Sequence, residues 1–256
     1  PMIKFFRKIR QKMLTENKFS KYLLYAIGEI ILVVIGILIA LQINNNNNYN
    51  EQRSLEQEYL LSLQAEFETN LNKINASIQE NELRIQSLEY LLTLFDKNVL
   101  DTVNSQIISQ KFAPIFGSSI GYIPATGVLE DIISSGKLNI ILNKSLRQNL
   151  ASFNSSLNHL NIQLNAMDFT EDKLRTIFYN KGSVRRLVMD IGFKDFDRES
   201  ISEKTDNKRL FESAEFENYL LAYYLSAKAT NGPNLFGRVE AEIENTIKEI
   251  EKELEK

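Results

Sequence analysis

The sequence predicts an all-α protein: one N-terminal transmembrane helix followed by a long-helix antiparallel bundle, coiled-coil-like in its apolar spacing. Three observations predict it. Residues 23–43 form a 21-residue apolar run whose only charge is Glu29. Beyond it, apolar residues recur in alternating steps of four and three over tens of residues, the period of a buried helical seam. No proline falls between residues 2 and 113, so nothing in that length forces a break.

The span comes first. A bilayer core about 30 Å thick needs roughly 20 helical residues at about 1.5 Å each, so residues 23–43 cross with little tilt. The run is longer than a signal-peptide core and no small-x-small cleavage site follows it, so it reads as an uncleaved anchor. Met2 reads as the start codon, with Pro1 a scar or an upstream codon. Lys4, Arg7, Lys8, Arg10, Lys12, Lys18 and Lys21 all precede the span, and the first basic residue after it is Arg53. The positive-inside rule therefore places the N-terminus in the cytoplasm and the remaining residues across the membrane, the periplasm in a bacterium. The expected location is the bacterial inner membrane.

Residues 1–22 form a basic, amphipathic cytoplasmic segment. Met2, Phe6, Ile9 and Met13 recur at helical spacing among Lys4, Arg7, Lys8, Arg10 and Lys12. Such a stripe suits the anionic inner leaflet of the bilayer; a disordered charged tail is the plainer alternative. Residues 1–44 carry a net charge of about +5, which leaves about −8 on the rest of a chain whose total is −3. A nucleic-acid-binding face, which needs basic residues on a folded surface, is not expected.

Glu29 is the anomaly of the span. A carboxylate at that depth is unfavourable by several kcal/mol unless protonated or paired, by the order of about 3 kcal/mol on insertion scales. Gly36 follows at i+7 and Ala40 at i+11, so Glu29, Gly36 and Ala40 share one face. Gly36-x-x-x-Ala40 is a small-xxx-small pair that admits a second helix closely. Three readings are open: an intramembrane contact with a second copy or another membrane protein, a proton-handling group, or a glutamate that snorkels toward the interface.

Residues 44–51, rich in Asn, read as a polar exit from the membrane. The exported domain then covers 52–256, with long helices expected over about 52–97, 144–180 and 213–256. In the first, Phe67, Leu71, Ile74, Ile78, Asn81, Ile85, Leu88, Leu92 and Phe95 step four and three without a break, and Leu60 and Gln64 extend the series backwards. Asn81 either fixes register or oligomer state, or sits at a partly solvated position. In the second, Leu146, Leu150, Phe153, Leu157, Leu160 and Leu164 step likewise, continuing to Met167, Leu174 and Phe178 with Glu171 as the one interruption. The third region places Phe216, Leu220 and Tyr224 on one face and Ile243, Ile247, Ile250 and Leu254 on another, with "NGPN" at 231–234 expected to kink or break it. Residues 98–127 read as a loop of unusual apolar content, residues 126–135 as a short helix stopped by Gly136, and "RRLVMDIGF" as a short strand or helical turn.

At the N-terminus the sequence "MIKFFRKIRQKMLTENKFSKYLLYAIGEIILVVIGILIALQINN" resembles an uncharacterised family of Bacteroidota single-pass membrane proteins, a family of unknown function. "SSGKLNIILNKSLRQNL" (134–150) and "SAEFENYLLAYYLS" (213–226) are similar to its later segments. Where that family usually has "NNWNE" after the span, this chain has "NNNNNYNE", so Tyr49 takes the place of the interfacial tryptophan. The resemblance implies a membrane location and a helical exported region. It implies no activity.

The catalytic inventory is thin. There is no cysteine and a single histidine, His159, next to the seam position Leu160. No Ser motif, phosphate loop or Glu-x-x-His pair occurs, so no enzyme, cofactor or metal is expected. Asp168, Glu171 and Asp172 read as a solvated helix turn. The expected function is a membrane-anchored periplasmic scaffold, adaptor or interaction protein, with no small-molecule substrate inferred. Its partners are the lipid bilayer and either a homo-oligomer or another membrane protein. The alternative is a single-span subunit of a proton-driven inner-membrane complex that uses Glu29. A ligand sensor, a third class, would need a partner to supply its output module.

Overall fold

The computed structural model describes residues 19–256, with side-chain environments from Leu23 onward, Glu203 excepted. Lys4, Arg7, Lys8, Arg10 and Lys12 and the amphipathic stripe around them lie outside the described residues. Among those described, the chain is all-α, with no strand. Residues Pro1–Gln57 and Glu58–Lys256 form two compact units. Helix α1, Phe19–Leu92, gives its first part to one and its second part to the other.

In the first unit the apolar run is uncovered. The large aliphatic side chains from Leu23 to Ile43 are between 46% and 72% exposed, and none of the most apolar window is buried. That part of α1 is long enough and apolar enough to cross a membrane. Residues 44–51 are helical too. Asn is a weak helix former, about half a kcal/mol per residue below Ala, but the tract contains neither Gly nor Pro and the sequence on both sides favours helix.

The second unit is a bundle of three long rods with a crossover. After α1 come a 3-10 turn at Thr93–Phe95, the short α2 (Lys97–Leu100), α3 (Ser105–Phe116), α4 (Gly127–Ser134), α5 (Lys144–Lys181), α6 (Val184–Asp190), α7 (Ala214–Thr230) and α8 (Phe236–Leu254). The loop expected over 98–127 is thus partly helical. Asn104 caps α3, its side chain accepting from the Gln106 amide. Pro114 sits in the last turn of α3, where the missing N–H disturbs little that follows.

Numbering along the contacts fixes direction. Phe67 packs on Phe153 with ring centroids 5.0 Å apart, and further along Arg84 faces Glu171, so α1 and α5 run parallel. Tyr223 meets Glu171, while Asn149 and Asn143 meet Glu249 and Glu253, so α7 and then α8 run antiparallel along α5. The parallel pair is possible because residues 97–140 carry the chain back to the start of the bundle before α5 begins. "NGPN" ends α7 at Thr230, and the second rod of this pair restarts at Phe236, giving two helices within 213–256.

The apolar seams supply the core. Phe67, Ile74, Ile85 and Leu88 of α1 are buried, with Leu71, Ile78, Leu92 and Phe95 packed at its edge. Leu146, Leu150, Phe153, Leu157, Leu160 and Leu164 of α5 are all buried. At one end Phe112 stands among Phe116, Phe178, Phe211 and Phe216, with centroids 5.2 to 6.1 Å away. On α7 the buried residue after Leu220 is Tyr223, while Tyr224 sits at the edge and donates to Glu89.

Candidate functional site

Glu29, Gly36 and Ala40 lie on the uncovered part of α1. Glu29 is half-buried in a hollow lined by Tyr25, Gly28 and Leu32. A Cβ added at Gly28 or Gly36 would meet nothing within 4 Å, so the backbone there is open to close approach. A neighbouring helix could seat against this face.

In the bundle, a second stripe of α1 does work that the apolar seam does not. Glu66, Asn70, Lys73, Ser77, Glu80 and Arg84 also step four and three, and all six bond to residues 117–129. Arg84 donates to the Pro114 carbonyl at 2.9 Å and to the Ser118 carbonyl. Ser118 donates to Glu80. Ser77 donates to the Gly121 carbonyl at 2.8 Å and Lys73 to the Ile123 carbonyl at 3.1 Å. Asn70 both accepts from the Ala125 amide at 2.7 Å and donates to its carbonyl at 2.8 Å. Glu66 accepts from the amides of Val128 and Leu129, at 2.7 and 3.1 Å, and so caps α4, whose own N-cap Thr126 makes no side-chain cap bond.

Segment 117–126 is therefore an extended strap laid back along α1. Its backbone has no sheet partner, and buried peptide groups must be satisfied, so side chains of the helix serve instead. Ile120 and Tyr122 anchor it in the core. Burial raises the Tyr122 phenol above its ordinary pKa, so it stays neutral.

The strap ends at an ionic cluster. Arg84 is fully buried, Tyr223 is fully buried, and Glu171 is 3% exposed. Arg84 donates to the Tyr223 hydroxyl at 3.0 Å, and that hydroxyl donates to Glu171 at 2.8 Å. The two charges lie 3.9 Å apart. Arg175, one turn along α5, binds the other oxygen of Glu171 and donates to the Phe116 carbonyl at 3.2 Å. Burial works against the Arg175 charge, but bonds to Tyr179 and Glu171 outweigh it and hold its pKa above the ordinary value. Burial likewise raises the Tyr223 phenol, with Arg84 opposing.

These positions correct the reading of Asp168, Glu171 and Asp172 as a solvated turn. Only Asp172 is exposed. Asp168 is half-buried, its Oδ1 is shielded without a hydrogen-bond partner, and burial followed by the charges of Glu171 and Asp172 raises its pKa. Glu171 does not interrupt the seam but continues it, because two guanidiniums and a phenol make a carboxylate tolerable inside. Asn81 is corrected too: it is fully buried, not part-solvated. Its side chain donates to the Ala227 carbonyl at 2.8 Å and to Asn231 at 2.7 Å, while Asn231 donates to the Ile78 carbonyl. It fixes α1 against the end of α7 within one chain.

A family model described as a family of unknown function (DUF6090) matches residues 29–200. The chain belongs to this family. No curated protein matches it, and no solved structure does. The DUF6090 match opens at Glu29 and takes in the bundle part of α1, the strap, and α3 to α6, with Arg84, Glu171 and Arg175. Tyr223 on α7, which completes the cluster, lies beyond it.

Chemically, the cluster is a lock. Every charged head in it is committed to a neighbour, and its phenol is held neutral. His159 is exposed on α5, about three turns before Glu171. Among the described residues no group of three His, Asp or Glu side chains could hold a metal ion. The strap stripe went unread in the sequence, although its four-and-three spacing, set beside the apolar seam, was the available signal.

Proposed function

We propose that this DUF6090 protein is a membrane-anchored scaffold or adaptor without catalytic activity, its helical bundle displayed on the periplasmic side of a bacterial inner membrane. The observation that carries the reading is the uncovered apolar run Leu23–Ile43, every large aliphatic side chain of which is about half exposed or more. Burying such a surface against lipid is favourable by tens of kcal/mol in area terms, about 25 cal/mol per Å². The seven basic residues ahead of the run orient it with the N-terminus inside. The bundle, braced by its strap and ion-pair lock, then presents a rigid surface to a partner, and Glu29, Gly36 and Ala40 form the contact within the membrane.

The absence of cysteine supplies the test. Single cysteines at positions 29 through 41 are oxidised in native membranes and disulfide-linked dimers are mapped. The reading expects cross-linking that peaks at 29, 36 and 40 with helical period if the partner is a second copy. Uniform cross-linking along the helix, without period, would sink the contact face. Cross-linking to a different protein at those positions would make the partner a membrane subunit, and replacing Glu29 by Gln would then show whether that complex needs the proton.

A further inference from the structure

Beside the ionic lock, the ends of α3 and α5 and α6 with the turn after it line a half-open cavity of about 360 Å³. Its wall is mostly apolar: Phe116, Leu187, Val188 and Phe193 contribute to it, and the lining residues with polar side chains are Arg175 and Tyr179. Gly192, with φ of +71°, lets the chain turn sharply after α6. The Phe193 amide then bonds the Val188 carbonyl and the Gly192 amide bonds the Met189 carbonyl, a helix ending that normally tucks the following apolar residue against the last turn. Yet Phe193 is 81% exposed, and Tyr179 opposite is 58% exposed. The space beneath them is unfilled.

Charge selects the occupant. Arg175 is cationic, with its guanidinium stacked over the Phe116 ring at 5.3 Å from the centroid. Its carboxylate partner, Glu171, also serves Arg84 and Tyr223, although Arg84 has Glu80 at 3.9 Å besides. Arginine has five N–H donors, and those given to Phe116, Glu171 and Tyr179 leave others for an acceptor at the pocket. One planar cation with a phenol beside it, at the polar end of an apolar cavity of ligand-binding size, matches one planar anion on an apolar tail.

We propose that this cavity binds an aliphatic monocarboxylate, its chain against Val188, Leu187 and Phe193 and its carboxylate on Arg175 and Tyr179. Binding would close Phe193 over the chain and tie α6 to the lock, so that the bundle reads the presence of an acyl carboxylate.

The chain has no tryptophan, so Phe193→Trp gives a single fluorophore at the cavity. The full-length variant in lipid nanodiscs is titrated with octanoate, octanol and octylammonium. The expected result is a saturable blue shift with octanoate at concentrations lower by about tenfold or more than with either other amphiphile. Val188→Phe, which fills the cavity and leaves Arg175 untouched, should abolish the shift. Arg175→Gln should weaken octanoate by about tenfold and leave octanol unchanged; should that variant unfold, the headgroup comparison and Val188→Phe still decide. Equal responses to octanoate and octylammonium, or a shift that survives Val188→Phe, would mean partition into lipid and would overturn the proposal.

Discussion

The Arg84 guanidinium and the Glu171 carboxylate lie 3.9 Å apart inside the bundle, with side-chain exposures of 0% and 4%. Neither charge reaches bulk water, and each is held by further bonds, Arg84 by the Pro114 and Ser118 carbonyls and Glu171 by Arg175 and Tyr223. The pair ties α1 to α5, and through Tyr223 to α7, while the same guanidinium holds the strap.

Removing one partner of such a pair strands the other. Glu171→Ala should destabilise the bundle by about 3–5 kcal/mol. The double change of Arg84 and Glu171 to Met should be milder than the single one, since volume is kept and no fully buried charge is left alone; Arg175, a quarter exposed, loses its carboxylate in both. Thermal denaturation of the full chain in detergent, followed by circular dichroism, compares the two. Equal losses would mean that the pair is not the linkage.

Asn81 donates to two acceptors of the same chain at the end of α7. Asn81→Leu should cost about 1–3 kcal/mol, the penalty of leaving the side-chain oxygen of half-buried Asn231 without its donor, and should leave oligomeric mass unchanged. A shifted mass by analytical ultracentrifugation would show that Asn81 also specifies an interchain register.

Glu66 caps α4 from another helix, so charge and helix dipole act together. Glu66→Ala should cost about 1–2 kcal/mol. Amide exchange should accelerate at Val128 and Leu129 before it does in α5. Uniform acceleration across the bundle would assign the residue a general packing role instead.

Asp168 gives a pH signature. Its pKa is raised in the fold from an ordinary 3.8, by burial first and then by the neighbouring carboxylates. The folded chain thus holds this proton more tightly than the unfolded one, and the difference lowers stability as pH rises from the ordinary Asp value through the raised one. Asp168→Asn should therefore raise Tm at about pH 7, and the gain should disappear by about pH 3, where both forms are neutral. A gain that persists at low pH would place the effect elsewhere.

Much of this architecture is legible in the sequence because the core obeys one period. Phe67 to Phe95 and Leu146 to Phe178 step four and three, and those side chains line the interior. The strap is not legible in the same way. Ser77 or Lys73 on a helix has the composition of a solvated face, and both keep contact with solvent; only the backbone of residues 117–126, folded back over them, supplies the carbonyls they bond. Glu171 misleads for a related reason: a lone acidic residue in an apolar series signals an interruption unless its cation, here Arg84 from 87 positions earlier, is already known to face it. The cavity under Phe193 is invisible in sequence, because it depends on how much of a space the surrounding side chains leave empty.

The central claim is that the apolar part of α1 crosses a membrane with the bundle outside. It is tested most directly by two single-cysteine variants of this cysteine-free chain, Gln11→Cys ahead of the span and Ser155→Cys at an exposed position of α5. Cells with a permeabilised outer membrane are treated with a membrane-impermeant maleimide before and after the inner membrane is opened. The account predicts that Ser155→Cys labels at once and Gln11→Cys only after opening. The reverse order, or labelling of both only after opening, would contradict it.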